Sequence, residues 1–242
     1  MKKREAKLSI LSLLIVTAIT ILLMTLVLNS KTRVQAKYYN QKLAAARTAQ
    51  SAFATVKQAV IETGIAIDRV NDPNETGLIG IQYSPITTAR GDLTPVLTST
   101  NPNFAALVVQ MLNEAGLRKN DTVAVLLTGS LPALNMSVMS AIQTLELVPR
   151  TVTSVGSGMW GANFPSFTYL DMEAVLIRTG VLEHGTTAAS IGGEDDIGRG
   201  LSPAGREMID SATARNGVTI LDAASLEEMI AKKIALFEGG GR

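Results

Sequence analysis

The sequence predicts an α/β protein in which helices flank a mostly parallel, Rossmann-like sheet, preceded by an N-terminal transmembrane helix and a helical stalk. Two patterns support this prediction: short apolar segments alternate with amphipathic ones over the second half of the chain, and a long uncharged apolar segment lies near the N-terminus. The composition agrees, since 46% of the 242 residues are apolar and 18% are charged. Such a chain buries enough apolar surface to form a core.

Cysteine content and charge exclude several classes of protein. The chain has no Cys, which excludes thiolate metal sites, cysteine nucleophiles and a disulfide framework. Residues 1–37 hold seven basic residues and one acidic residue, whereas the rest of the chain holds 15 basic and 20 acidic residues, a net charge of −5. A nucleic-acid-binding protein needs a basic face against the phosphates, so we expect no nucleic acid partner.

Residues 8–28 predict a membrane-spanning helix. This segment contains no charged residue, Pro or Gly, and 14 of its 21 residues are Leu, Ile or Val. At about 1.5 Å per residue a helix of this length spans roughly 30 Å, the thickness of a bilayer core. The alternative is a cleaved signal peptide, whose apolar region is shorter. Because the passable cleavage site Val34-Gln35-Ala36 lies well beyond the apolar segment, the sequence favours an uncleaved signal anchor.

The charges beside this segment predict its orientation. Basic residues occur on both sides of it: Lys2, Lys3, Arg4 and Lys7 before, and Lys31, Arg33 and Lys37 after. The denser cluster is expected on the cytoplasmic side. We therefore expect residues 1–7 to form a cytoplasmic tail and the body to lie outside the cell membrane, on a single-pass anchor.

Residues 29–70 predict a helical stalk, and residues 71–242 predict the α/β domain. The stalk is Ala-rich, and from residue 38 to about residue 67 its apolar residues recur near helical spacing. Asn71-Asp72-Pro73 then interrupts the helix.

The first part of the domain predicts one strand, one loop and one helix. The strand is expected at residues 78–83, and the Thr-, Pro- and Gly-rich residues 87–100 predict a loop. Asn101 as a cap and Pro102 in the first turn predict a helix that ends at Gly116.

Four strand–helix units follow and predict the parallel sheet. Strands are expected at residues 122–127, 151–155, 186–191 and 218–221, and helices at residues 132–145, 168–179, 203–216 and 224–237.

Small polar loops follow three successive predicted strands. They are Thr128-Gly129-Ser130, Ser154-Val155-Gly156-Ser157-Gly158 and Ser190-Ile191-Gly192-Gly193-Glu194-Asp195-Asp196. In a parallel sheet these loops share the carboxyl edge, where α/β folds bind ligands. Gly lets a backbone approach a ligand, Ser supplies a hydroxyl, and the following helix N-termini offer free N–H groups. We predict a cleft here for a carboxylate or phosphate, although tight strand-to-helix turns also use Gly for structural reasons.

The densest acidic segment of the chain is Glu194, Asp195 and Asp196. These carboxylates are candidate ligands for a divalent cation, and one of them is a candidate general base. The alternative is a solvated loop in which an Asp caps the next helix.

Two further residues are candidates near the cleft. Arg90 is a candidate carboxylate clamp. Trp160, the only Trp, lies in a Gly-rich loop and is a candidate lid or stacking platform, although burial in the core is the more common fate of a Trp.

Ser130 and Ser157 are the candidate nucleophiles, but no standard catalytic motif surrounds them. Thr-Gly-Ser-Leu-Pro around Ser130 departs from Gly-x-Ser-x-Gly. The only His, His184, precedes a predicted strand and therefore belongs at the opposite edge of the sheet. A Ser-His-Asp triad is accordingly excluded.

Several segments resemble the family of poly-γ-glutamate system proteins. They are residues 86–92 and 99–106, Gly129-Ser130 through Asn135, residues 154–163 with residues 170–173, and Gly192-Gly193 and Asp195-Asp196 with residues 200–206. The resemblance covers roughly residues 80–220 in order. It implies a membrane-anchored accessory protein of the machinery that makes or exports poly-γ-glutamate, a polyanionic capsule material. Its synthase, its export proteins or the polymer would be the partners, and no catalytic residues are carried over.

The predicted ligand-binding residues are Arg90, Thr128, Gly129, Ser130, Ser154, Gly156, Ser157, Trp160, Asn163, Gly192, Gly193 and Arg199.

Three functions remain open from the sequence. The first is an accessory subunit that binds the polymer or its synthase. The second is an extracytoplasmic hydrolase or transferase of γ-glutamyl linkages that uses Ser130, Ser157 or a metal at Asp195 and Asp196. The third is a structural assembly subunit whose stalk helices associate into a homo-oligomer. Because the body is acidic, recognition of a monomer or chain end is more consistent with its charge than coating of the polymer, unless a cation bridges the carboxylates.

Overall fold

The computed structural model describes residues 9–30 and 35–239 and divides the chain into two compact units, Met1–Lys37 and Tyr38–Arg242. The α/β class is confirmed: the described residues form eight helices and eight strands, and most strand pairs are parallel. The predicted cytoplasmic tail, residues 1–7, lies outside the described residues.

The first unit contains one helix, α1 (Ile10–Asn29). Ser9 caps it, since its side chain accepts a hydrogen bond from the Ser12 N–H at 3.2 Å. The helix has a mean hydropathy of 2.8 and buries none of its side chains. It is long and apolar enough to cross a membrane, a property that signal sequences share.

The second unit contains all other elements. In chain order they are α2 (Tyr39–Glu62), β1 (Thr87–Ala89), α3 (Leu93–Ser99), α4 (Asn103–Glu114), β2 (Thr122–Thr128), α5 (Pro132–Thr144), β3 (Val148–Ser154), β4 (Ser157–Gly158), β5 (Asn163–Phe164), β6 (Phe167–Thr168), α6 (Tyr169–Arg178), β7 (Ala188–Ser190), α7 (Pro203–Arg215), β8 (Ile220–Leu221) and α8 (Leu226–Glu238).

The main sheet has four parallel strands in the order β2-β3-β7-β8. Helices α5, α6 and α7 connect successive strands, as the alternation in the sequence predicts. Two small sheets accompany it: β1 pairs with β4 in parallel, and β5 pairs with β6 as an antiparallel hairpin.

The two faces of β2 have different environments. Val125 and Leu127 are buried in the main core, which contains residues of α5 and α6, whereas Leu126 between them is 63% exposed. On the face of Leu126, helix α8 packs against β3, where Arg150 Nη1 donates to the Leu236 carbonyl at 3.3 Å. Because α8 contacts β3 and leaves Leu126 exposed, a groove remains beside β2.

Helix α2 belongs to the folded body, so the predicted boundary between stalk and domain at residues 70 and 71 is too late. Its Ala45 and Ala49 are fully buried in a cluster with Ala105, Val109 and Ala141 of α4 and α5. Small side chains let these helices approach closely. The helical prediction was right, but the compact unit begins at Tyr38.

Two local predictions were wrong. Residues 78–83 form no strand, since their backbone bonds to a loop: Gly80 N–H donates to the Trp160 carbonyl at 2.8 Å, and the Asn163 side chain pairs with both backbone groups of Ile81. The predicted loop at residues 87–100 contains β1 and α3. Asp92 caps α3 by accepting from the Thr94 N–H at 2.9 Å.

Candidate functional site

A cleft of about 720 Å³ opens at the carboxyl edge of the main sheet. Of the predicted ligand-binding residues, Thr128, Ser130, Ser154, Gly156, Gly192 and Gly193 line it. Thr88, Ala89, Leu126, Leu127, Glu194, Asp196 and Lys233 complete the lining.

The register of the sheet brings the polar side chains into one row. Thr128 pairs with Ser154, and Ser154 pairs with Ser190, so the last residues of β2, β3 and β7 are direct neighbours. The strand order follows the chain order, so this sheet has no point where the order reverses and a crevice would form by topology. The walls of the cleft come from β1 and from α8, which contribute Thr88, Ala89 and Lys233.

Asp196 is the centre of a polar network in the cleft. Its Oδ1 accepts hydrogen bonds from Ser190 Oγ at 2.9 Å and from Ser154 Oγ at 3.3 Å. Its Oδ2 forms an ion pair with Lys233 Nζ. The side chains of Lys233 and Asp196 are only 17% and 15% exposed, so the pair is weakly screened by solvent.

The loop that carries Asp196 has an unusual backbone. Asp195 and Asp196 have φ of +59° and +58°, and Gly192 and Gly193 precede them with φ of +83° and +80°. For residues with a Cβ this left-handed region costs about 1–2 kcal/mol each. Arg206 fixes this loop by donating hydrogen bonds to the backbone carbonyls of Ile197 and Gly198, at 3.2 and 2.5 Å. Strain of this kind is typical of functional loops.

Ser130 is arranged as a hydrogen-bond donor toward the cleft. Its Oγ accepts from Thr128 Oγ1 at 3.2 Å and from the Gly158 N–H at 2.8 Å. A hydroxyl has two acceptor positions and one donor hydrogen, so the hydrogen of Ser130 remains for another acceptor. Gly129 lies behind it, where a Cβ would come within 2.8 Å of the Val155 carbonyl oxygen.

The remaining predicted ligand-binding residues do not line the cleft. Ser157 is buried and donates from Oγ to the Gly158 carbonyl at 2.9 Å. Asn163 is buried against Ile81 and Thr87. Trp160 is half-buried and Arg90 is exposed, and neither belongs to the lining. With Gly129 and Arg199, six of the predicted ligand-binding residues therefore lie outside the lining.

The three consecutive acidic residues do not converge as a metal site. Asp195 pairs with Arg199 at 3.0 Å, Asp196 pairs with Lys233, and Glu194 lines the cleft mouth. Within residues 9–30 and 35–239, no three His, Cys, Asp or Glu side chains group as metal ligands. Successive residues of a loop point in different directions, which separates side chains that are adjacent in sequence. The ion pair with Asp195 also holds Arg199 outside the cleft lining.

No local pattern in the sequence indicates that Lys233 belongs to the cleft. Lys232 and Lys233 are neighbours on α8, yet Lys232 pairs with Glu228 of its own helix and only Lys233 reaches the cleft. Sequence spacing cannot distinguish the two, because the difference arises from how α8 packs on the sheet. Thr88 could not be predicted as a cleft residue either, since β1 lies in a segment that the sequence predicted to be a loop.

His184 is exposed in the loop before β7, at the amino edge of the sheet and opposite the cleft. This is the edge at which the sequence placed it, and a Ser130–His184 pair is excluded by this position.

The fold and cleft define an α/β protein with an apolar N-terminal helix that is compatible with a membrane anchor. Comparison of the chain with protein-family models, curated proteins and solved structures finds no match. The resemblance to the poly-γ-glutamate system family therefore stays a prediction.

Proposed function

We propose that this chain is a membrane-anchored accessory component of poly-γ-glutamate biosynthesis or export, and that its extracytoplasmic α/β domain binds a carboxylate of the polymer, its monomer or a partner. The observation that carries the proposal is the open cleft with Lys233 in its wall. The motif resemblance over residues 80–220 and the apolar helix α1 support it.

The cleft offers the donors that a carboxylate needs. An ammonium group has three donor hydrogens, and Asp196 uses one of those of Lys233. The hydroxyl hydrogen of Ser130 adds a neutral donor in the same lining. Charge-assisted hydrogen bonds in a partly enclosed cleft are stronger than those on an open surface.

Binding is tested with the full-length chain in lipid nanodiscs. γ-Linked glutamate oligomers are compared with α-linked oligomers of the same length, which carry the same charge. We expect γ-linked ligands to raise the unfolding free energy, by about 2.7 kcal/mol at 100 times the dissociation constant. Equal binding of both isomers, or binding of neither the oligomers nor L-glutamate, would contradict the proposal of a γ-glutamyl ligand.

Two lysine variants provide the matched comparison. Lys233→Gln is expected to weaken binding at least tenfold, about 1.4 kcal/mol, whereas Lys232→Gln should leave it unchanged. Poly-γ-glutamate is also incubated with the same chains, and its size distribution is followed over time. An unchanged distribution supports an accessory role. Shortening of the polymer that is abolished in Ser130→Ala would identify a hydrolase instead.

The orientation is tested by labelling, because the chain has no Cys of its own. Single variants Lys3→Cys and Glu207→Cys are exposed to a membrane-impermeant maleimide in intact cells. We expect only the Glu207→Cys chain to react. Reaction of the Lys3→Cys chain alone would place the body in the cytoplasm.

A further inference from the structure

We infer that the cleft recognises an ammonium group together with a neighbouring carboxylate, and therefore takes free glutamate or the amino-terminal residue of a γ-linked glutamyl chain. This inference rests on the proposed function and specifies its ligand. It comes from the charges of the lining, where the ionisable side chains are Glu194, Asp196 and Lys233. Two carboxylates and one ammonium give the cleft a formal excess of negative charge.

The carboxylate of Asp196 is already engaged by three donors of the protein. Both of its oxygens are engaged, one by Ser154 and Ser190 and the other by Lys233. Its role is to hold the ammonium of Lys233 in the cleft wall, which leaves the two remaining hydrogens of that group for a ligand. A ligand carboxylate beside Lys233 thus completes a row of alternating charges.

Glu194 supplies the second part of the site. Glu194 is one of the residues that line the same cleft, it is exposed, and no ion pair among the described residues involves it. A ligand that brought only carboxylates would meet repulsion from Glu194 at short range. A ligand that also brought an ammonium would find an acceptor there.

The chemistry of a γ-linked chain satisfies both requirements at one end only. Each residue keeps its α-carboxylate, because the linkage uses the side-chain carboxyl. Only the first residue keeps a free α-ammonium, one carbon away from its α-carboxylate. The interior of the polymer and its carboxy end carry negative charge alone, so they match Lys233 but not Glu194.

The test measures binding to the full-length chain in nanodiscs by titration calorimetry. The ligands are γ-linked triglutamate, its N-acetylated form, its form amidated at the carboxy end, L-glutamate and N-acetylglutamate. We expect N-acetylation to weaken binding at least tenfold and amidation of the far end to change it less than twofold. L-Glutamate distinguishes the two sources: equal affinity with the trimer indicates recognition of the monomer unit, and tighter trimer binding indicates the chain end.

Glu194→Gln is the diagnostic variant, and Glu207→Gln on the exposed side of α7 is its control. Because Glu194 is exposed, we expect the variant to fold, and circular dichroism verifies this. It should lose the preference for the free amine, while the control should keep it.

The outcomes separate this inference from the proposed function. If acetylated and free trimer bind equally, the inference is overturned and binding of γ-glutamyl chains stands. If amino acids unrelated to glutamate bind as tightly as L-glutamate and the trimer does not bind, recognition of the ammonium–carboxylate pair stands and the proposed function fails. If no ligand binds, both are overturned.

Discussion

Glu173 is a buried carboxyl group whose pKa is shifted by its surroundings. It lies on α6 with its side chain buried, and its Oε2 accepts from the Thr186 N–H at 2.6 Å. Its Oε1 has no hydrogen-bond partner among the described residues, nor does the hydroxyl of the neighbouring Tyr169. Burial raises the pKa of Glu173 to about 7, against the lowering effect of its hydrogen bonds with Thr186. Burial, and then the charge of Glu173, raise the pKa of Tyr169.

This pKa predicts a stability that falls as the pH rises. Between pH 4.5 and about 7 the folded chain keeps the proton that the unfolded chain has lost. The unfolding free energy therefore decreases across this window, by about 3 kcal/mol at most, and stays low above it. Glu173→Gln should flatten this dependence and be more stable than the parent at pH 8. Urea denaturation at pH 5, 6, 7 and 8 measures it.

The exposed Glu183, in the loop beside Glu173, provides the control for that series. Glu183→Gln should follow the parent at every pH. A parent whose unfolding free energy is constant from pH 5 to pH 8 would show that Glu173 ionises normally.

At the scale of elements, the junction of α6 and α7 depends on one carboxylate. Asp171, in the first turn of α6, accepts from both the N–H and the hydroxyl of Thr168, at 2.6 and 2.7 Å. From the end of α7, Arg215 binds both of its oxygens and Asn216 binds one. Burial alone would raise the pKa of Asp171, but these donors, Arg215 foremost, lower it below its usual value. The carboxylate thus caps one helix and joins it to the next.

Asp171→Asn removes the charge and half of the acceptors at this junction. We expect a loss of about 2–4 kcal/mol in unfolding free energy at pH 7, from the cap and the charge-assisted hydrogen bonds. Because the pKa of Asp171 is lowered in the folded chain, its contribution is present above about pH 4 and disappears as the pH falls further. Denaturation of Asp171→Asn and the exposed control Asp210→Asn over a series of pH values from 7 downward checks both points. A difference between the variants that does not become smaller as the pH falls would contradict the prediction.

At the scale of the whole molecule, the chain divides between Lys37 and Tyr38. Helix α1 has no buried residue, whereas α2 buries Val56 and Val60 in the main core. The buried contacts that stabilise the fold therefore lie within residues 38–242, and the apolar surface of α1 is available for contact with a membrane.

Two truncations test this division. Residues 38–242 should be soluble, with an unfolding free energy within about 1 kcal/mol of the full-length chain. Residues 71–242, which begin at the boundary predicted from the sequence, should fail to fold because the surface under α2 becomes exposed to water. Sedimentation and thermal unfolding by circular dichroism measure both. A folded 71–242 fragment would show that α2 is not required for folding and acts as a stalk.

Elements with a local cause could be predicted from the amino-acid sequence. The apolar segment at residues 8–28, the strand–helix alternation after residue 122 and the Gly- and Ser-bearing loops at the strand ends all follow from periodicity and turn chemistry. The edge at which the polar loops meet follows too, because parallel strands end on the same side. The strand predicted at residues 78–83 failed because a distant side chain, Asn163, took its backbone hydrogen bonds.

Which side chains face the cleft depends instead on long-range packing. Lys232 and Lys233 are equivalent in sequence, as are Asp195 and Asp196, yet in each pair one residue lies in the network and the other pairs elsewhere. The choice depends on the angle at which α8 packs over the sheet and on two left-handed backbone positions. Both are set by contacts between residues far apart in the chain, and local propensities cannot predict such contacts.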